Sequence, residues 1–417
     1  MSRRLSYAWP FGRGRPILRS LQSGLGKSAI VYPVSAIHAI ALGTISLGMV
    51  FYLRDFFDAE PAVVGLVSSI WSLAYFVGCF VFRPLTRLLL PRVSLLISVV
   101  ISSTVISLIL LARTVAVVGV LNALYGFGVS LFWPPIMGWL STGLEGKQLG
   151  KALGRFNFAW SIGVIFSPLI AGVLSETNSR YPMYFGIACF VLVFVVAGVG
   201  SLLIPKIRRD RHREPVGSGR TTRDESSPLR FAAWISIFGA YIVVGIFNVV
   251  FPIHGRSILG LSESTIGSVL ILRTITTAVS FAILGRITIW HHRPLPMIMA
   301  QVSLALICLL VALLEGIGIF IVVFPVIGML AALSYSESVF HGVTGATHRA
   351  RRMAIHESLL VAGQVLGAAG GASLYQLESA RTMFFTAGAI LLLLGIAQLV
   401  LVVVNKRYEI APATRLK

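Results

Sequence analysis

The sequence predicts an all-α membrane protein, with twelve transmembrane helices arranged as two pseudo-symmetric six-helix bundles. Three observations predict this class. Hydrophobic residues make up 56% of the 417 positions and charged residues only 12%. Apolar runs of about 20 residues recur along the chain, and a helix of that length crosses a hydrocarbon core of roughly 30 Å. One long polar insert, KIRRDRHREPVGSGRTTRDESSP, separates six of these runs from the other six.

The twelve apolar runs are continuous rather than alternating, which favours helices over the strands of a membrane β-barrel. The expected helices, called segments one to twelve, are 30–53, 62–82, 93–112, 115–140, 155–175, 183–204, 230–252, 263–285, 294–314, 317–340, 353–373 and 382–404. They divide the chain into an N-terminal arm 1–29, a first bundle 30–204, a central loop 205–229, a second bundle 230–404 and a C-terminal tail 405–417.

The positively charged residues indicate the orientation of the chain. Of the 35 lysine and arginine residues, 29 lie in the termini and the loops on one side of the predicted membrane, and 5 lie in the opposite loops. Positive charge concentrates on the cytoplasmic side of membrane proteins, so we expect both termini in the cytoplasm and the chain in the plasma (inner) membrane. The net charge of +20 then follows from topology. Contacts with anionic lipid headgroups are expected, and nucleic-acid binding is not.

The sequence offers no pattern for a metal or a cofactor. The run LQSGLGKS at 21–28 ends like a phosphate-binding loop, but Leu21 stands where the first glycine is required. The adjacent histidines of WHHRP at 290–294 lack the helical spacing of a zinc site. All three cysteines fall within predicted helices, which argues against an extracellular disulfide framework. We therefore expect no cofactor and no bound metal.

The two halves contain a weak internal repeat. At an offset of 200 residues, VFYLRD at 50–55 matches VFPIHG at 250–255, Gly128 matches Gly328 and Gly163 matches Gly363. A loop longer by two residues then pairs Gly65 with Gly267. Parallel repeats of this kind are related by an axis along the membrane normal and enclose a site near mid-depth.

Several short patterns recur in a definite order. The exit from segment one and the entry to segment two read FYLRDFFDAEPAVVGLVSSIW, and FPIHGRSILGLSESTIGSVLI repeats this pattern in the second half. Segment four contains NALYGFG, while GVIFSPLIAG in segment five and GQVLGAAGGA in segment eleven are counterparts. In type and order these patterns resemble the motifs of the major facilitator superfamily over essentially the whole chain. The resemblance implies two six-helix repeats that move a solute by alternating access.

The loop after segment two departs from the family pattern at one position. It reads GCFVFRPLTR, which keeps two arginines and a glycine but has Phe82 where the family has an aspartate. The resemblance implies roles in gating for the retained positions, for a proline in segment five and for the arginine after segment eight. The gating candidates are Gly78, Arg83, Arg87, Pro168 and Arg286.

Two helices also depart from the family pattern. Segment four has Asn122 in place of an arginine, and segment five has Ser167 in place of the first paired glycine. In drug/proton antiporters of the family these positions serve gating and proton transfer. The departures therefore count against an antiport mechanism of that kind.

Arg273 is the most unusual residue of the apolar segments. It lies near the middle of the 22-residue apolar run between Glu263 and Arg286. A charge at mid-membrane costs at least about 2.5 to 3.5 kcal/mol, so Arg273 should face protein or water rather than lipid. Two interpretations stay open: the guanidinium binds an anionic group of a substrate, or it forms an ion pair or a carbonyl clamp between helices.

The neighbours of Arg273 extend this polar surface. Hydroxyl side chains follow at i+3, i+4 and i+7, which places them on one face of the helix. At an offset of 202 the same face of segment two carries aromatic and small residues. Trp133 and Tyr335 belong to segments that face the cavity in the family, and Gln364 is a polar residue among the glycines of segment eleven. The substrate-binding candidates are Arg273, Thr276, Thr277, Ser280, Trp71, Tyr75, Asn122, Trp133, Tyr335 and Gln364.

Four titratable residues are candidates for ion coupling. Glu337 in segment ten and Glu357 in segment eleven are either protonatable carboxylates or interfacial partners of the arginines at 349–352. Asp55, next to Arg54, is either an exposed pair at a helix end or a coupling site. His38 is either a structural histidine or part of a proton relay.

These observations predict secondary active transport of a small solute by alternating access. Arg273 favours an organic or inorganic anion as substrate. The resemblance favours coupling to protons, but no carboxylate is clearly placed at mid-membrane, so a uniporter or an exchanger stays open. Efflux of lipophilic compounds is the close alternative, because the remaining candidates are apolar or aromatic. A non-transporting membrane sensor and a polytopic membrane enzyme are the lesser alternatives. No cluster of catalytic groups is evident, so an enzyme is not expected. The expected partners are the small-molecule substrate and the lipid bilayer, with a functional monomer.

Overall fold

The computed structural model describes residues 26–141, 146–203, 227–314, 316–344 and 349–410. The expected all-α architecture is confirmed, because twelve helices in these ranges are long and apolar enough to cross a membrane. They are α1 Ser28–Phe57, α2 Pro61–Val81, α3 Pro91–Leu111, α4 Val115–Leu140, α5 Lys151–Thr177, α6 Tyr181–Leu203, α7 Arg230–Ser257, α8 Glu263–Leu284, α9 Leu295–Leu313, α10 Ile317–Val343, α11 Arg351–Leu377 and α12 Ala380–Val404. The predicted arm before residue 26, the central loop from 204 to 226 and the tail after 410 lie outside the described residues.

The helix ends follow local sequence signals. Proline opens α2 and α3, where the missing N–H has no helical partner to lose. The Ser262 hydroxyl accepts a hydrogen bond from the Thr265 N–H at 3.3 Å and caps the start of α8. Asp58, with φ 47°, ends α1 in the left-handed conformation. Short loops of this kind make consecutive helices antiparallel neighbours.

Two helices contain irregular turns. In α4 the regular helix stops at Ser130 and starts again at Trp133, just before Pro134 and Pro135, which lack the N–H groups a continuous helix requires. In α11 a π-helical turn occupies Leu366–Gly370. Such turns often mark functional positions in helices.

The two six-helix halves repeat the same packing. In the first half α1 packs against α5 and α2 packs against α4; in the second half α7 packs against α11 and α8 against α10. One glycine in each half allows the second of these contacts. A methyl group on Gly126 would collide with the carbonyl oxygen of Trp71, and a methyl group on Gly328 would collide with that of Arg273.

This packing corrects one detail of the repeat. The offset of 200 pairs Gly328 with Gly128, but Gly128 faces Ile101 on α3. The packing counterpart of Gly328 is Gly126, at an offset of 202, which also makes Trp71 the counterpart of Arg273. Identical residue types at a fixed offset do not show which face of a helix contacts its neighbour.

The two halves meet along two related helix pairs, α2 with α11 and α5 with α8. Gly65 approaches the carbonyl oxygen of Ala368 in the first pair, and Gly267 approaches that of Pro168 in the second. Any side chain at either glycine would push the helices apart. The expected pairing of Gly65 with Gly267 is therefore reflected in the contact between the halves.

Polar contacts join the halves near one membrane face. We call the side where α1 begins and α12 ends the terminal face, and the other side the opposite face. At the opposite face Arg256 of α7 donates to Asp55 of α1 at 2.5 Å, and Gln376 of α11 donates to Glu60 at 2.5 Å. The halves are therefore in contact at the opposite face.

Candidate substrate cavity

A cavity of about 250 Å³ lies between the two halves. Four helices of the first half line it, α1, α2, α4 and α5, together with α7 and α11 of the second half. Trp71, Tyr125 and Trp160 form its aromatic wall. Its polar wall is made of uncharged side chains: Ser46, Ser68, Ser72, Asn122, Ser167, Asn248 and Gln364. Solute sites of repeat-built transporters lie at this place between the repeats.

Two hydrogen-bond donors in the cavity wall have no protein partner among the described residues. The indole N–H of Trp71 and the hydroxyl of Tyr125 are both buried and unbonded. Asn122 is anchored, because its side-chain nitrogen donates to the carbonyl oxygen of Val67 at 2.8 Å. Buried polar groups normally have partners, so unbonded donors beside a cavity indicate a place for a ligand or for water.

Arg273 reaches the cavity wall through one neighbour. Its Nη2 donates to the side-chain oxygen of Asn248 on α7 at 2.7 Å, and Asn248 lines the cavity. The Nε of Arg273 is buried without a hydrogen-bond partner, and no carboxylate among the described residues forms a salt bridge with this side chain. The guanidinium is therefore held by an amide and keeps unused donors.

The hydroxyl residues after Arg273 face α10 rather than the cavity. Thr277 donates to the carbonyl oxygens of Arg273 at 2.8 Å and Gly328 at 3.1 Å. Thr276 donates to the carbonyl oxygen of Leu272 at 3.0 Å. Ser280 is partly buried one turn further on and is not part of the cavity lining. The stripe anticipated as a cavity wall thus packs mainly against a neighbouring helix.

The other substrate-binding candidates separate into two groups. Trp71, Asn122 and Gln364 line the cavity. Three aromatic candidates lie outside its lining. Trp133 packs edge-on against His38 at 5.1 Å, and Tyr335 packs edge-on against His356 at 4.8 Å. The third, Tyr75, stacks on Trp71 with ring centroids 5.7 Å apart, on the terminal-face side of the cavity.

Sequence reasoning missed several cavity residues, of which Asn248 is the most informative. It is the one amide in the apolar run VVGIFNVVF of α7, a signal comparable to that of Arg273. Its counterpart at the offset of 202 is Ser46, which also lines the cavity. Tyr125 and Trp160 carry no comparable sequence signal, because aromatic residues are common in all the spans.

Glu337 lies inside the second half and away from the cavity lining. Its side chain is fully buried and both carboxylate oxygens lack hydrogen-bond partners among the described residues. His341, one turn later, is also fully buried with both ring nitrogens unbonded. His356 of α11 is nearby and pairs its Nδ1 with the Ser338 hydroxyl at 2.8 Å. All three groups are buried in α10 and α11, but no hydrogen bond or ion pair among the described residues joins Glu337 to either histidine.

His38 is packed as an aromatic ring. It is fully buried, its ring stacks on Phe132 with centroids 3.6 Å apart, and neither nitrogen has a hydrogen-bond partner in the described part of the chain. Asp55 pairs with Arg256 in the other half, whereas its sequence neighbour Arg54 donates to the carbonyl oxygen of Ala59 at 2.8 Å. Asp55 thus belongs to a contact between the halves.

The gating candidates lie near helix ends and helix contacts. Gly78 packs against Ser130 of α4, and the carbonyl oxygen of Pro168 meets Gly267. Arg83 is exposed at the start of a short helix, Arg83–Leu88. Arg87 belongs to the same helix, and its side chain lies outside the described residues. Arg286 is exposed after the end of α8. Pro168 directly follows Ser167, which lines the cavity, whereas Gly78, Arg83 and Arg286 are not part of the lining.

Comparison with known proteins agrees with this architecture. The family model of the Major Facilitator Superfamily matches residues 31–232 and 233–416. The chain is 25% identical to multidrug resistance protein 1 of Bacillus subtilis (strain 168) over 43% of its length and 46% of that protein. It is 24% identical to the staphyloferrin B transporter of Staphylococcus aureus (strain NCTC 8325 / PS 47) over 58% of its length and 60% of that protein. The matches thus span between about half and three fifths of these curated relatives.

Solved structures share the fold at low sequence identity. The nucleoside transporter NupG is 13% identical and superposes with a TM-score of 0.70 over 90% of this chain and 99% of that chain. The peptide transporter POT in complex with sulfate is 13% identical, with a TM-score of 0.74 over 90% of this chain and 94% of that chain. Identities this low establish the fold alone. With twelve spans, two equivalent halves and a family match across both of them, the chain belongs to the major facilitator superfamily.

Proposed function

We propose that the protein is a secondary active transporter that carries a small organic solute with an anionic group. The observation that carries this proposal is the Arg273–Asn248 pair at the wall of the central cavity. A guanidinium at this depth costs at least about 2.5 to 3.5 kcal/mol. No carboxylate among the described residues offsets this cost, so a bound anion is the partner the site lacks.

The geometry supports an organic anion over an inorganic one. The cavity of about 250 Å³ is lined largely by apolar and aromatic side chains. These side chains cannot solvate a bare inorganic ion, whereas they can contact the apolar part of an organic one. The unbonded donors of Trp71 and Tyr125 would hold further acceptor atoms of the solute. In this arrangement Asn248 orients the guanidinium, and the planar fork of Arg273 presents two parallel donors to a carboxylate or phosphate.

The proposal is tested by ligand screening followed by substitution. Purified protein is screened by thermal shift against organic anions, sugars, amino acids and cationic dyes, since a ligand that binds only the folded protein raises the melting temperature, and raises it more as its concentration exceeds its Kd. Arg273→Gln should abolish the shift produced by organic anions while the unliganded protein melts near the wild-type temperature. Arg113→Gln, at an exposed position between α3 and α4, is the matched control and should bind normally.

Two results contradict an anion carrier. One is an anion-induced shift that Arg273→Gln leaves intact. The other is an Arg273→Gln protein that no longer folds, because it would show that the arginine clamps α8 to α7. Flux in proteoliposomes then separates a carrier from a sensor, which binds the anion and moves none of it.

Efflux of lipophilic compounds is the second candidate function. The aromatic wall of Trp71, Tyr125 and Trp160 favours it, and one curated relative is named as a multidrug resistance protein. Under this alternative a cationic dye such as ethidium is expelled from loaded vesicles, and Arg273→Gln leaves that efflux unchanged or increases it. Organic anions would then neither stabilise the protein nor compete with the dye.

Coupling to protons is part of the proposal and rests on Glu337. An ionised carboxylate without a partner is costly to bury, so any change in its exposure would be accompanied by exchange of a proton. Because Glu337 is enclosed within the second half, a rearrangement of α10 against α11 during transport would provide such a change. The proposal also includes a functional monomer in the plasma (inner) membrane. Both termini are expected in the cytoplasm, because the positive charges are concentrated on that side of the predicted spans.

A further inference from the structure

We propose that an acidic subsite adjoins the central cavity on its terminal-face side and binds an ammonium group of the transported solute. The subsite consists of Glu357, Tyr75, Tyr241 and Tyr335. Together with Arg273 it makes the expected substrate a zwitterion, with an acid group at Arg273 and an amine at Glu357. This inference rests on the proposed function, since it specifies the class of solute that the same cavity accepts.

Helical spacing places Glu357 on the cavity-facing side of α11. On α11, Glu357, Gln364 and Ala368 are separated by seven and four residues, which puts them on one face of the helix. Gln364 and Ala368 line the cavity. Glu357 therefore lies on the cavity-facing side of α11, about 10 Å nearer the terminal face than Gln364.

The tyrosines follow the same pattern on their own helices. On α7, Tyr241 precedes Gly245 by four residues and Asn248 by seven, and both of these line the cavity. On α2, Tyr75 follows the cavity residue Trp71 by four residues. Both positions are one turn from the cavity in the direction of the terminal face. The subsite is thus a continuation of the cavity formed by both halves.

Glu357 is surrounded by neutral polar groups. It interacts electrostatically with Tyr75 and with the thiol of Cys79 in the first half, and with Tyr241 and Tyr335 in the second. It is partly buried, and no described residue forms a salt bridge or hydrogen bond with it. A carboxylate near tyrosine hydroxyls is a favourable environment for an ammonium ion, because the hydroxyl oxygens accept its hydrogen bonds and the negative charge attracts it.

The nearby basic groups have other partners. His356, next to Glu357 in sequence, pairs with Ser338 and contacts the Tyr335 ring with its own ring. Arg352 lies over the Trp234 ring at 5.7 Å. No described basic side chain therefore pairs with the carboxylate of Glu357.

The two charges of the site are held apart. The Tyr241 hydroxyl interacts electrostatically with both Glu357 and Arg273, yet these two residues form no salt bridge with each other. A solute with a single anionic group would satisfy Arg273 and leave Glu357 unpartnered. A zwitterion satisfies both charges, which is the reason for proposing this class of substrate.

The test uses matched probes on the full-length protein in lipid nanodiscs. The probes are 4-(aminomethyl)benzoate, its anionic analogue 4-methylbenzoate and its cationic analogue 4-methylbenzylamine. Homologues of each probe with one and two additional methylene groups cover other distances between the charges. Affinities are measured by thermal shift and by the fluorescence of the cavity tryptophans. At least one zwitterion should bind about tenfold more tightly than its anionic analogue, which corresponds to one additional ion contact of about 1.4 kcal/mol.

Substitutions assign this preference to the subsite. Glu357→Gln should reduce the affinity for the zwitterion to that for the anion and leave the affinity for the anion unchanged. Glu378→Gln, at an exposed position after α11, is the matched control and should keep the preference. If Glu357→Gln does not fold, Tyr75→Leu replaces it, because loss of this ring from the first half should also remove the preference for the amine.

Three outcomes overturn the inference. The first is that no zwitterion in the series binds more tightly than its anionic analogue. The second is that Glu357→Gln weakens binding of the anion and the zwitterion equally, which indicates a structural role. The third is that Glu357→Gln keeps the amine preference and alters only the dependence of flux on a proton gradient. Failure of the proposed function differs from all three, because then neither anions nor zwitterions bind in a manner that depends on Arg273.

Discussion

The ion pair between Asp55 and Arg256 should favour the state in which the halves touch at the opposite face. Arg256 of α7 contacts two carboxylates: Asp55 on α1 at 2.5 Å and Glu263 on α8 at 3.1 Å. Only the contact with Asp55 connects the two halves. Asp55→Asn removes that charge pair, keeps the size of the side chain and leaves the contact with Glu263 intact.

The exposure of the pair sets the magnitude of the expected effect. The side chain of Arg256 is 41% exposed and that of Asp55 is 29% exposed, so solvent screens much of their attraction. Exposed ion pairs contribute about 0.2 to 1 kcal/mol, and the partial burial of Asp55 places this one near the upper half of that range. We call molecules closed when their halves touch at the opposite face and open when they do not. A loss of about 0.5 to 1 kcal/mol changes the ratio of closed to open molecules by about two- to fivefold.

The distance between the halves provides the measurement. Spin labels at exposed Arg113 in the first half and exposed Glu378 in the second report this distance by pulsed EPR, in a background without the native cysteines. Asp55→Asn should increase the population with the longer distance by the stated factor. High salt should reproduce part of this change in the unmodified protein, because it screens exposed charges.

Glu263→Gln is the matched control for this experiment. It removes the other carboxylate contact of Arg256, which lies within the second half, and should leave the distance distribution unchanged. The reasoning is refuted if Asp55→Asn does not alter the distribution, or if Glu263→Gln alters it to the same extent. Either result would mean that the apolar contacts between the halves determine the closed state without this pair.

Three further predictions concern other contacts. Gly267→Val should abolish transport in proteoliposomes while the protein still inserts and folds. The reason is that any side chain at this position collides with the carbonyl oxygen of Pro168 in the other half. Normal flux would contradict the close contact. Thr277→Val should lower the unfolding free energy by about 0.6 kcal/mol, because it removes the hydrogen bond to the carbonyl oxygen of Gly328. Ligand affinity should not change. A loss of affinity would place this hydroxyl in the binding site. Glu337→Gln should keep ligand binding and counterflow but make net flux insensitive to an imposed proton gradient, and flux that still follows the gradient would exclude Glu337 as the coupling residue.

The transmembrane architecture was predictable because it depends on local composition. A run of apolar residues long enough to span the bilayer forms a helix wherever it occurs, since no other conformation satisfies its backbone hydrogen bonds in lipid. The transmembrane helices that contain Arg273 and Glu357 were predicted from this rule alone. The equivalence of the halves also left a sequence trace, in the pairing of Gly65 with Gly267.

The partners of individual side chains were less predictable. Periodicity correctly places Thr276 and Thr277 on the same side of α8 as Arg273, but a helix face is broad enough to contact both the cavity and α10. Adjacent residues can also diverge, as Arg54 and Asp55 do at the end of α1. These outcomes depend on how neighbouring helices are rotated, which the sequence of one helix does not specify.

By itself, the sequence determined the class of protein, the number of spans, the division into halves and the presence of one arginine at mid-membrane. Only the tertiary structure decided that Arg273 contacts Asn248 rather than a carboxylate, that Glu337 is enclosed within one half and that Asp55 reaches across to Arg256. The physical reason is the range of the interactions. Burial of a helix in lipid depends on residues adjacent in the chain, whereas these contacts join residues from different helices that only the packing of the two bundles brings together.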